Sequence, residues 1–280
     1  MPATTSADQP ANQLTPRVIA SRDEIPRARR VVVKVGSSSI SGLNTAQIAP
    51  LVDALSAAHG RGVEVILVSS GAIATGIPYL KLDSRPTDLA TQQAAAAVGQ
   101  NVLIYRYQES LDRFHIVAGQ VLLTAGDLEN PTHRSNAQRA MERLLGLRIV
   151  PIVNENDTVA THEIRFGDND RLAALVSQLV HADLLVLLSD VDALYTRPPK
   201  DPGAVRIDRV TADDELAEIE YGGIGDTGVG TGGAATKVAA ARLAVQSGTA
   251  VLLSSTANVA LALTADAIGT WFDPVPPARA

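Results

Sequence analysis

The sequence predicts an α/β protein, a three-layer αβα sandwich around a mainly parallel, open sheet. Two patterns predict it: apolar runs of strand length recur along the chain, and longer segments with apolar residues at three- and four-residue spacing lie between them. Continuous apolar strands are typical of parallel sheets, because helices cover both faces of such a sheet. The composition, 46% hydrophobic and 19% charged, is that of a well-packed globular chain.

Six apolar runs are predicted strands, and five periodic segments are predicted helices. The strands are VVVKV (31–35), VEVILVS (63–69), HIVAGQVLL (115–123), RIVPIVN (148–154), DLLVLLS (183–189) and AVLLSS (250–255). The helices cover 45–62, 91–114, 135–147, 171–182 and 235–248. Several helical segments end in glycine after a polar last turn, which is a common C-terminal stop. This alternation of strand and helix favours an open sandwich.

The ends of the chain differ in composition from its middle. The N-terminal stretch is rich in Pro, Ala, Ser and Thr, and we predict a mobile tail over residues 1–28. The folded domain is predicted over 29–274. We divide it into halves at about 31–180 and 181–273, which share one continuous sheet.

Composition and charge exclude several classes of function. The net charge of -6 offers no basic surface to neutralise a nucleic-acid backbone. The absence of cysteine rules out disulfides, thiolate chemistry and the ligands of most structural zinc sites. No apolar run reaches the roughly 18 residues that a membrane span needs, and the N-terminus has no apolar core of a secretory signal. We therefore expect a cytoplasmic protein with neither nucleic-acid nor membrane partners.

In open α/β sheets, ligands bind at the carboxyl ends of the strands, so the residues after each strand carry the functional information. Only four of the 24 basic residues are lysines, and Lys34 ends the first strand, followed by Val35, Gly36 and Ser37. Glycine lets the backbone approach a ligand, and the next amides and hydroxyls can donate to phosphate oxygens. The local pattern equally fits a lysine that extends to solvent before a turn.

Two further strand ends carry small or acidic residues. Ser69 to Gly76 reads SSGAIATG and leads into a possible helix start, which can bind carboxylate or phosphate or form an ordinary capped turn. After the fourth strand, Asn154-Glu155-Asn156-Asp157 is followed about ten residues later by Asp168-Asn169-Asp170. A helix N-cap explains one such cluster but not two. The pair favours a site for an ammonium group, a metal or a lysine clamp.

The nucleotide side of the sequence shows weaker signals. Ser189 and Asp190 follow the fifth strand and suit either a ribose contact or a turn. GVGTGGAATK (228–237) is neither a dinucleotide fingerprint after a strand nor a Walker A motif. It is a glycine-rich loop that brings Thr236 and Lys237 to a helix N-terminus, which makes a phosphate cradle or a flexible surface loop. Two of the four lysines thus adjoin glycine-rich turns, an arrangement suited to phosphoryl transfer with Mg²⁺ on the nucleotide phosphates.

With these motifs, the sequence from Val31 to Pro274 resembles the amino acid kinase family. The resemblance rests on VVVKVGSS, VSSGAIATG, AAVGQ, GQVLLT, VPIVNENDTVAT, FGDNDRLAAL, LLSDVDALYT and GTGGAATK. NENDxVAT followed by GDND is specific to the branch of the family whose acceptor is L-glutamate. Aspartate, acetylglutamate, uridylate and carbamate kinases share the lysine–glycine strand end but use different acceptor motifs.

The resemblance implies ATP- and Mg²⁺-dependent phosphorylation of the side-chain carboxylate of L-glutamate to γ-glutamyl phosphate, the first step of proline biosynthesis. It makes Lys34 and Lys237 the catalytic cations and Asp170 the residue that orients them. The residues it assigns to glutamate binding are Ser70, Gly71, Asn154, Asp157, Asp168 and Asn169. The residues it assigns to ATP are Lys34, Gly36, Ser37, Ser189, Asp190, Thr231, Gly232, Gly233, Ala234, Ala235, Thr236 and Lys237. No protein-bound metal is expected, because Mg²⁺ binds the ATP phosphates.

The resemblance also implies a homo-oligomer (dimer or tetramer), feedback inhibition by L-proline and functional coupling to glutamate-5-semialdehyde dehydrogenase. The sequence departs from the family at Ala234, where methionine is frequent, and at Ser189, where threonine is usual. We also expect no C-terminal PUA domain, which many members of the family carry, and its absence would bear on oligomeric form and on proline sensitivity. Two alternatives remain at this point: a kinase of the family with another carboxylate or phosphate acceptor, and a non-catalytic amino-acid sensor. The presence of both lysines and Asp170 disfavours the sensor.

Overall fold

A computed structural model describes residues 17–160, 169–211 and 233–275 of the chain. The strands are β1 (Arg30–Val35), β2 (Glu64–Val68), β3 (Ala118–Leu123), β4 (Val150–Glu155), β5 (Leu184–Ser189), β6 (Leu194–Tyr195), β7 (Arg206–Ile207), β8 (Arg209–Val210), β9 (Ala250–Ser255) and β10 (Thr270–Phe272). The α-helices are α1 (Ser37–Ile40), α2 (Ile48–Gly60), α3 (Ala72–Gly76), α4 (Leu89–Asp112), α5 (Ala125–Glu129), α6 (Pro131–Gly146), α7 (Asn169–Leu179), α8 (Ala234–Val245) and α9 (Val259–Ala262).

All six predicted strands and all five predicted helices are confirmed, with small shifts at their ends. The largest shift is at α6, which begins four residues before the predicted helix, and the largest among the strands is at β3, which begins three residues later than the apolar run. His115 has a positive φ of 56°, and the amide of Ile116 donates to the carbonyl of Leu111 at the end of α4. This left-handed turn closes the helix, so the first residues of the run cannot pair in the sheet.

One sheet spans both predicted halves of the domain. Among the described residues, eight strands form it in the order β3-β4-β2-β1-β5-β9-β10-β8. Its strand pairs are parallel except β9–β10, which is antiparallel. β1 lies between β2 and β5. The chain continues from β1 to β2 on one side, and after β4 it crosses to β5 on the other side. This reversal is the switch point at which open α/β sheets bind ligands.

Helices cover both faces of the sheet, which confirms the three-layer architecture. Val31, Val33 and Val35 of β1 belong to an apolar cluster with residues of α2 and α4. Val32 belongs to a second cluster with residues of α6, α7 and α8. Because successive strand residues face opposite sides, Lys34 lies on the same face as Val32, towards α7 and α8. In the described part of the chain, no helix is long and apolar enough to cross a membrane.

The structure corrects the predicted N-terminal tail for residues 17–28. Ile19 and Ile25 are buried in the core, and a 3-10 helix runs over Arg22–Arg27. The buried carboxylate of Asp183 accepts from the amide of Arg17 at 2.6 Å and from that of Arg29 at 2.7 Å. These contacts attach the segment to the start of β5. Residues 1–16, the rest of the predicted tail, lie outside the described residues.

Candidate active site

Two lysines from opposite ends of the chain meet on one carboxylate. Lys34 at the end of β1 forms an ion pair with Oδ1 of Asp170, and Nζ of Lys237 in α8 donates to Oδ2 at 2.9 Å. Asp170, near the start of α7, is fully buried, and the two lysine side chains are 5% and 11% exposed. The interpretation of Lys34 as a residue extending to solvent is therefore wrong. We call these three residues the lysine–aspartate triad.

The triad keeps its aspartate ionised. Burial alone would raise the pKa of Asp170, but the charges of Lys34 and Lys237 and their hydrogen bonds lower it to about 2. The triad therefore holds two positive charges against one negative in a place with little access to water. A buried excess of positive charge is stabilised by an anion, so the triad suits a phosphoryl group.

A side-chain amide joins the ends of β2 and β4 beside the triad. Nδ2 of Asn169, the first residue of α7, lies 2.9 Å from the carbonyl of Ser69, 2.9 Å from Oγ of Ser70 and 2.9 Å from Oδ1 of Asn154. Two buried atoms of this cluster, Nδ2 of Asn154 and Oδ1 of Asn169, have no hydrogen-bond partner among the described residues. One is a donor and the other an acceptor. A donor and an acceptor placed together in this way can both pair with a polar ligand.

The turn after β2 depends on glycine. Gly71 precedes α3 with a φ of +90°, which disfavours any residue with a Cβ. No side chain caps α3, so the interpretation as a serine-capped turn is wrong. Gly71 also lies against α1, because a Cβ there would be 3.3 Å from Cβ of Ser37. The turns after β1 and β2 are therefore in direct contact.

Helix α3 packs on α4 with almost no space between the two backbones. A Cβ added to Gly99 would lie 1.8 Å from the carbonyl oxygen of Ala72, and one added to Gly76 would lie 1.9 Å from that of Ala95. Real atoms do not approach so closely, so both positions require glycine. The AAVGQ motif (96–100) thus fixes the place of α3 and of the turn that precedes it.

We expect Gly99→Ala to destabilise the protein by about 1–3 kcal/mol and to raise the KM for the acceptor, because α3 must move away from α4. Urea unfolding and steady-state kinetics would measure the two effects. Gly60→Ala is the matched control, since Gly60 also lies in a helix and a Cβ there would meet no atom within 4 Å. Equal stability of the two variants would contradict the close packing.

The predicted nucleotide-binding residues lie on the other side of β1. The pairing of Val35 with Leu188 sets Gly36 beside Ser189 at the carboxyl edge of the sheet. Oγ of Ser189 donates to Oδ1 of Asp190 at 2.9 Å, and Asp190 is exposed. Gly233 precedes α8, and the hydroxyl of Thr236 donates to its carbonyl at 2.9 Å. Amides of the first turn of a helix have no partner within the helix, as a phosphate cradle requires.

The structure thus brings most of the predicted site residues to one edge of the sheet, in the lateral order Asn154, Ser69–Ser70, Lys34 and Ser189. Asp157 is half-buried in the turn after β4, and Ala234 and Ala235 lie in the first turn of α8. Asp168, Thr231 and Gly232 lie outside the described residues. The roles assigned to all these residues stay predictions.

Sequence reasoning missed two residues that hold the site together. Tyr107 of α4 is fully buried, with its hydroxyl 2.9 Å from Oγ of Ser69. Nε2 of Gln100, also in α4, lies 3.4 Å from the carbonyl oxygen of Glu155. The AAVGQ motif contains Gln100, but a tyrosine in an amphipathic helix gives no functional signal.

Comparisons with known proteins agree with this geometry. The sequence model of the Amino acid kinase family matches residues 29–254. The glutamate 5-kinase of Clavibacter sepedonicus is 75% identical over 255 residues, which are 91% of this chain and 98% of that protein. The glutamate 5-kinase of Leifsonia xyli subsp. xyli is 73% identical over 256 residues, 91% of this chain and 95% of that protein.

Among solved structures, carbamate kinase from Giardia lamblia bound to AMP-PNP superposes with a TM-score of 0.64 at 15% identity. The match covers 89% of this chain and 100% of that one, and at this identity it supports the fold alone. Both the predicted fold class and the predicted family are confirmed. The chain belongs to the amino acid kinase family and, within it, to the glutamate 5-kinases.

Proposed function

We propose that this chain transfers the terminal phosphoryl group of ATP to the side-chain carboxylate of L-glutamate, forming γ-glutamyl phosphate and ADP. The observation that carries the proposal is the lysine–aspartate triad, in which Lys34 and Lys237 share the buried carboxylate of Asp170. Its position at the switch point of the sheet, between the acceptor residues and the nucleotide residues, is where a transferred group must sit.

The chemistry needs cations and alignment rather than a base. A glutamate carboxylate is ionised at pH 7 and is already a nucleophile. Its oxygen forms a bond to the γ-phosphorus while the bond from that phosphorus to the bridging oxygen of ADP breaks. Negative charge is spread over the transferred oxygens in the transition state, and the ammonium groups of Lys34 and Lys237 stabilise it. Mg²⁺ on the ATP phosphates would supply further charge neutralisation.

The acceptor side has the polarity that an amino acid requires. The unpaired donor Nδ2 of Asn154 suits a carboxylate, and the unpaired acceptor Oδ1 of Asn169 suits an ammonium group. Both atoms are buried, so a bound ligand that leaves either of them unpaired would lose about 1–3 kcal/mol. The carboxylate of Asp157, in the following turn, adds a second partner for the ammonium group.

The nucleotide side supports ATP as the phosphoryl donor. The first turn of α8 carries Lys237, so phosphate oxygens that bind the helix N-terminus would lie next to that ammonium group. Ser189 and Asp190 at the end of β5 suit the hydroxyls of a ribose. Gly36 lies beside the triad, since a Cβ at this residue would be 4.0 Å from Nζ of Lys34.

An acceptor panel tests the proposal. The purified chain is incubated with ATP and Mg²⁺ and with L-glutamate, L-aspartate, N-acetyl-L-glutamate or carbamate, and acyl phosphate is trapped as the hydroxamate. We expect L-glutamate to be the one acid in the panel that is phosphorylated, with hydroxamate and ADP formed in equal amounts. Turnover with another acid and none with L-glutamate would contradict the proposed acceptor, and no turnover with any acid would contradict the kinase.

Three features of the biology extend the proposal. γ-Glutamyl phosphate is a reactive acyl phosphate, so we place a reductase, glutamate-5-semialdehyde dehydrogenase, after this reaction in the cytoplasm. We also propose that L-proline inhibits the enzyme and that the enzyme works as a homo-oligomer. The panel repeated with L-proline tests the inhibition, and light scattering of the same sample gives the number of subunits.

A further inference from the structure

The hydroxyl of Tyr107 makes a hydrogen bond that packing of its ring alone would not require. It lies in α4 with no exposed surface, and Oγ of Ser69 is the hydrogen-bond partner that the described residues give its hydroxyl, at 2.9 Å. Burial raises the pKa of Tyr107 well above its usual value, although the bond to Ser69 opposes this. The hydroxyl therefore keeps its proton at neutral pH and can donate it in a hydrogen bond.

Ser69 connects three elements at the carboxyl edge of the sheet. Its amide donates to the carbonyl of Val153 in β4 at 2.8 Å, and its carbonyl accepts from Nδ2 of Asn169 in α7 at 2.9 Å. Its hydroxyl donates to the carbonyl of Ser70 at 3.3 Å. A hydroxyl has a single proton, so when Ser69 donates to the carbonyl of Ser70, its Oγ accepts from the hydroxyl of Tyr107. The result is a chain of hydrogen bonds from Tyr107 through Ser69 to the carbonyl of Ser70.

This chain of hydrogen bonds acts on the peptide that joins Ser70 and Gly71. A trans peptide is planar, so fixing the carbonyl of Ser70 also fixes the amide of Gly71, which points the opposite way. Gly71 has a φ of +90°. Because glycine has no Cβ, it adopts this and other conformations with similar ease, so the residue itself does not hold the turn. The hydroxyl of Ser70 on the same turn lies 2.9 Å from Nδ2 of Asn169.

We propose that Tyr107 is a positioning residue for the acceptor: through Ser69 it holds the Ser70–Gly71 peptide in the orientation that binds L-glutamate. The inference rests on the proposed function and deepens it, because it assigns part of the affinity for glutamate to a residue that does not touch the substrate. Within the described parts of the chain, these hydrogen bonds end at the acceptor side and do not branch to α8 or β5, so we expect the affinity for ATP not to depend on them.

The test is Tyr107→Phe, which removes one oxygen and keeps the ring. We expect the KM for L-glutamate to rise about five- to twentyfold, as loss of a buried hydrogen bond predicts. The kcat and the KM for ATP should stay within about twofold. Tyr105→Phe is the matched control, since Tyr105 lies in the same helix and is 65% exposed. A purely structural role of Tyr107 would lower the Tm without this separation of the two KM values.

Two variants of Ser69 complete the experiment. Ser69→Ala should raise the KM for glutamate to a similar extent, and its combination with Tyr107→Phe should add little, because both break the same chain of hydrogen bonds. Ser69→Thr keeps the hydroxyl and should restore most of the affinity. A wild-type KM in Tyr107→Phe, or additive effects in the double variant, would overturn the inference while leaving the kinase intact. Absence of glutamate-dependent turnover in the wild type would instead refute the proposed function, and this inference with it.

Discussion

Lys237→Met is expected to lower the kcat with L-glutamate by about 10²–10⁴-fold, because the transition state loses a fixed cation from a site with little water. The substitution keeps the length of the side chain, so α8 can pack as before. Asp170 retains Lys34 as a partner, and no charge is left buried alone. We therefore expect the fold and the KM for glutamate to change little, since the lost interaction is made in the transition state.

Steady-state kinetics and thermal unfolding measure these effects side by side. Lys200→Met is the matched control: Lys200 is exposed and far from the triad in the chain, and its replacement should leave kcat unchanged. A kcat of Lys237→Met within about threefold of the wild type would remove this lysine from the mechanism. Loss of the folded state in Lys237→Met would show instead that the triad is needed for folding, and Lys237→Gln would then be measured.

The sequence predicted the strands and the edge of the sheet that carries the site, because both follow from local pattern. Each long apolar run ends in residues that suit a ligand, and parallel strands bring those ends together. It also predicted that Lys34 and Lys237 would meet, through the resemblance to the amino acid kinase family. The contact itself depends on how α7 and α8 pack against β1. Alternation along β1 puts Lys34 on the face of Val32, but no local pattern shows that α7 and α8 bring Asp170 and Lys237 to that face.

The elements that sequence analysis missed are short or lack a period. β10 has three residues and β8 has two. Strands this short do not show enough alternation to be recognised in the sequence. Ile19 and Ile25 are isolated apolar residues in a polar stretch, so the sequence pattern does not show that they are buried. Gly99 interrupts a helical pattern, and only the contact of α3 with α4 explains why a residue of low helix propensity is needed there.

Asp170→Asn is the second large effect that we expect, and it acts on stability as well as on turnover. The substitution removes the carboxylate that Lys34 and Lys237 share, so their two ammonium groups stay buried beside each other with one negative charge fewer. Removal of one member of a buried ion pair costs about 3–5 kcal/mol of unfolding free energy. The kcat should also fall by orders of magnitude, because the two cations lose the group that holds them in place.

Asp53→Asn is the matched control, since Asp53 and Arg113 form an ion pair at 2.5 Å with side chains that are 51% and 48% exposed. Such a surface pair contributes at most about 1 kcal/mol. Urea unfolding at pH 7 compares the two variants with the wild type. If Asp170→Asn were no less stable than Asp53→Asn, the triad would not contribute to the stability of the fold.

The pH dependence of the stability difference between the wild type and Asp170→Asn identifies the cause of that difference. The pKa of Asp170 falls from an ordinary 3.8 to about 2 in the folded protein, so the ionised form favours folding. Its contribution is complete above about pH 4 and is lost as the pH falls through about 2. A protonated aspartate and an asparagine carry the same charge, so the wild type should approach the stability of Asp170→Asn across this window. Unfolding measured at pH 5, 4 and 3 should show the difference shrinking, whereas a difference that stays constant would mean that packing, and not charge, makes Asp170 necessary.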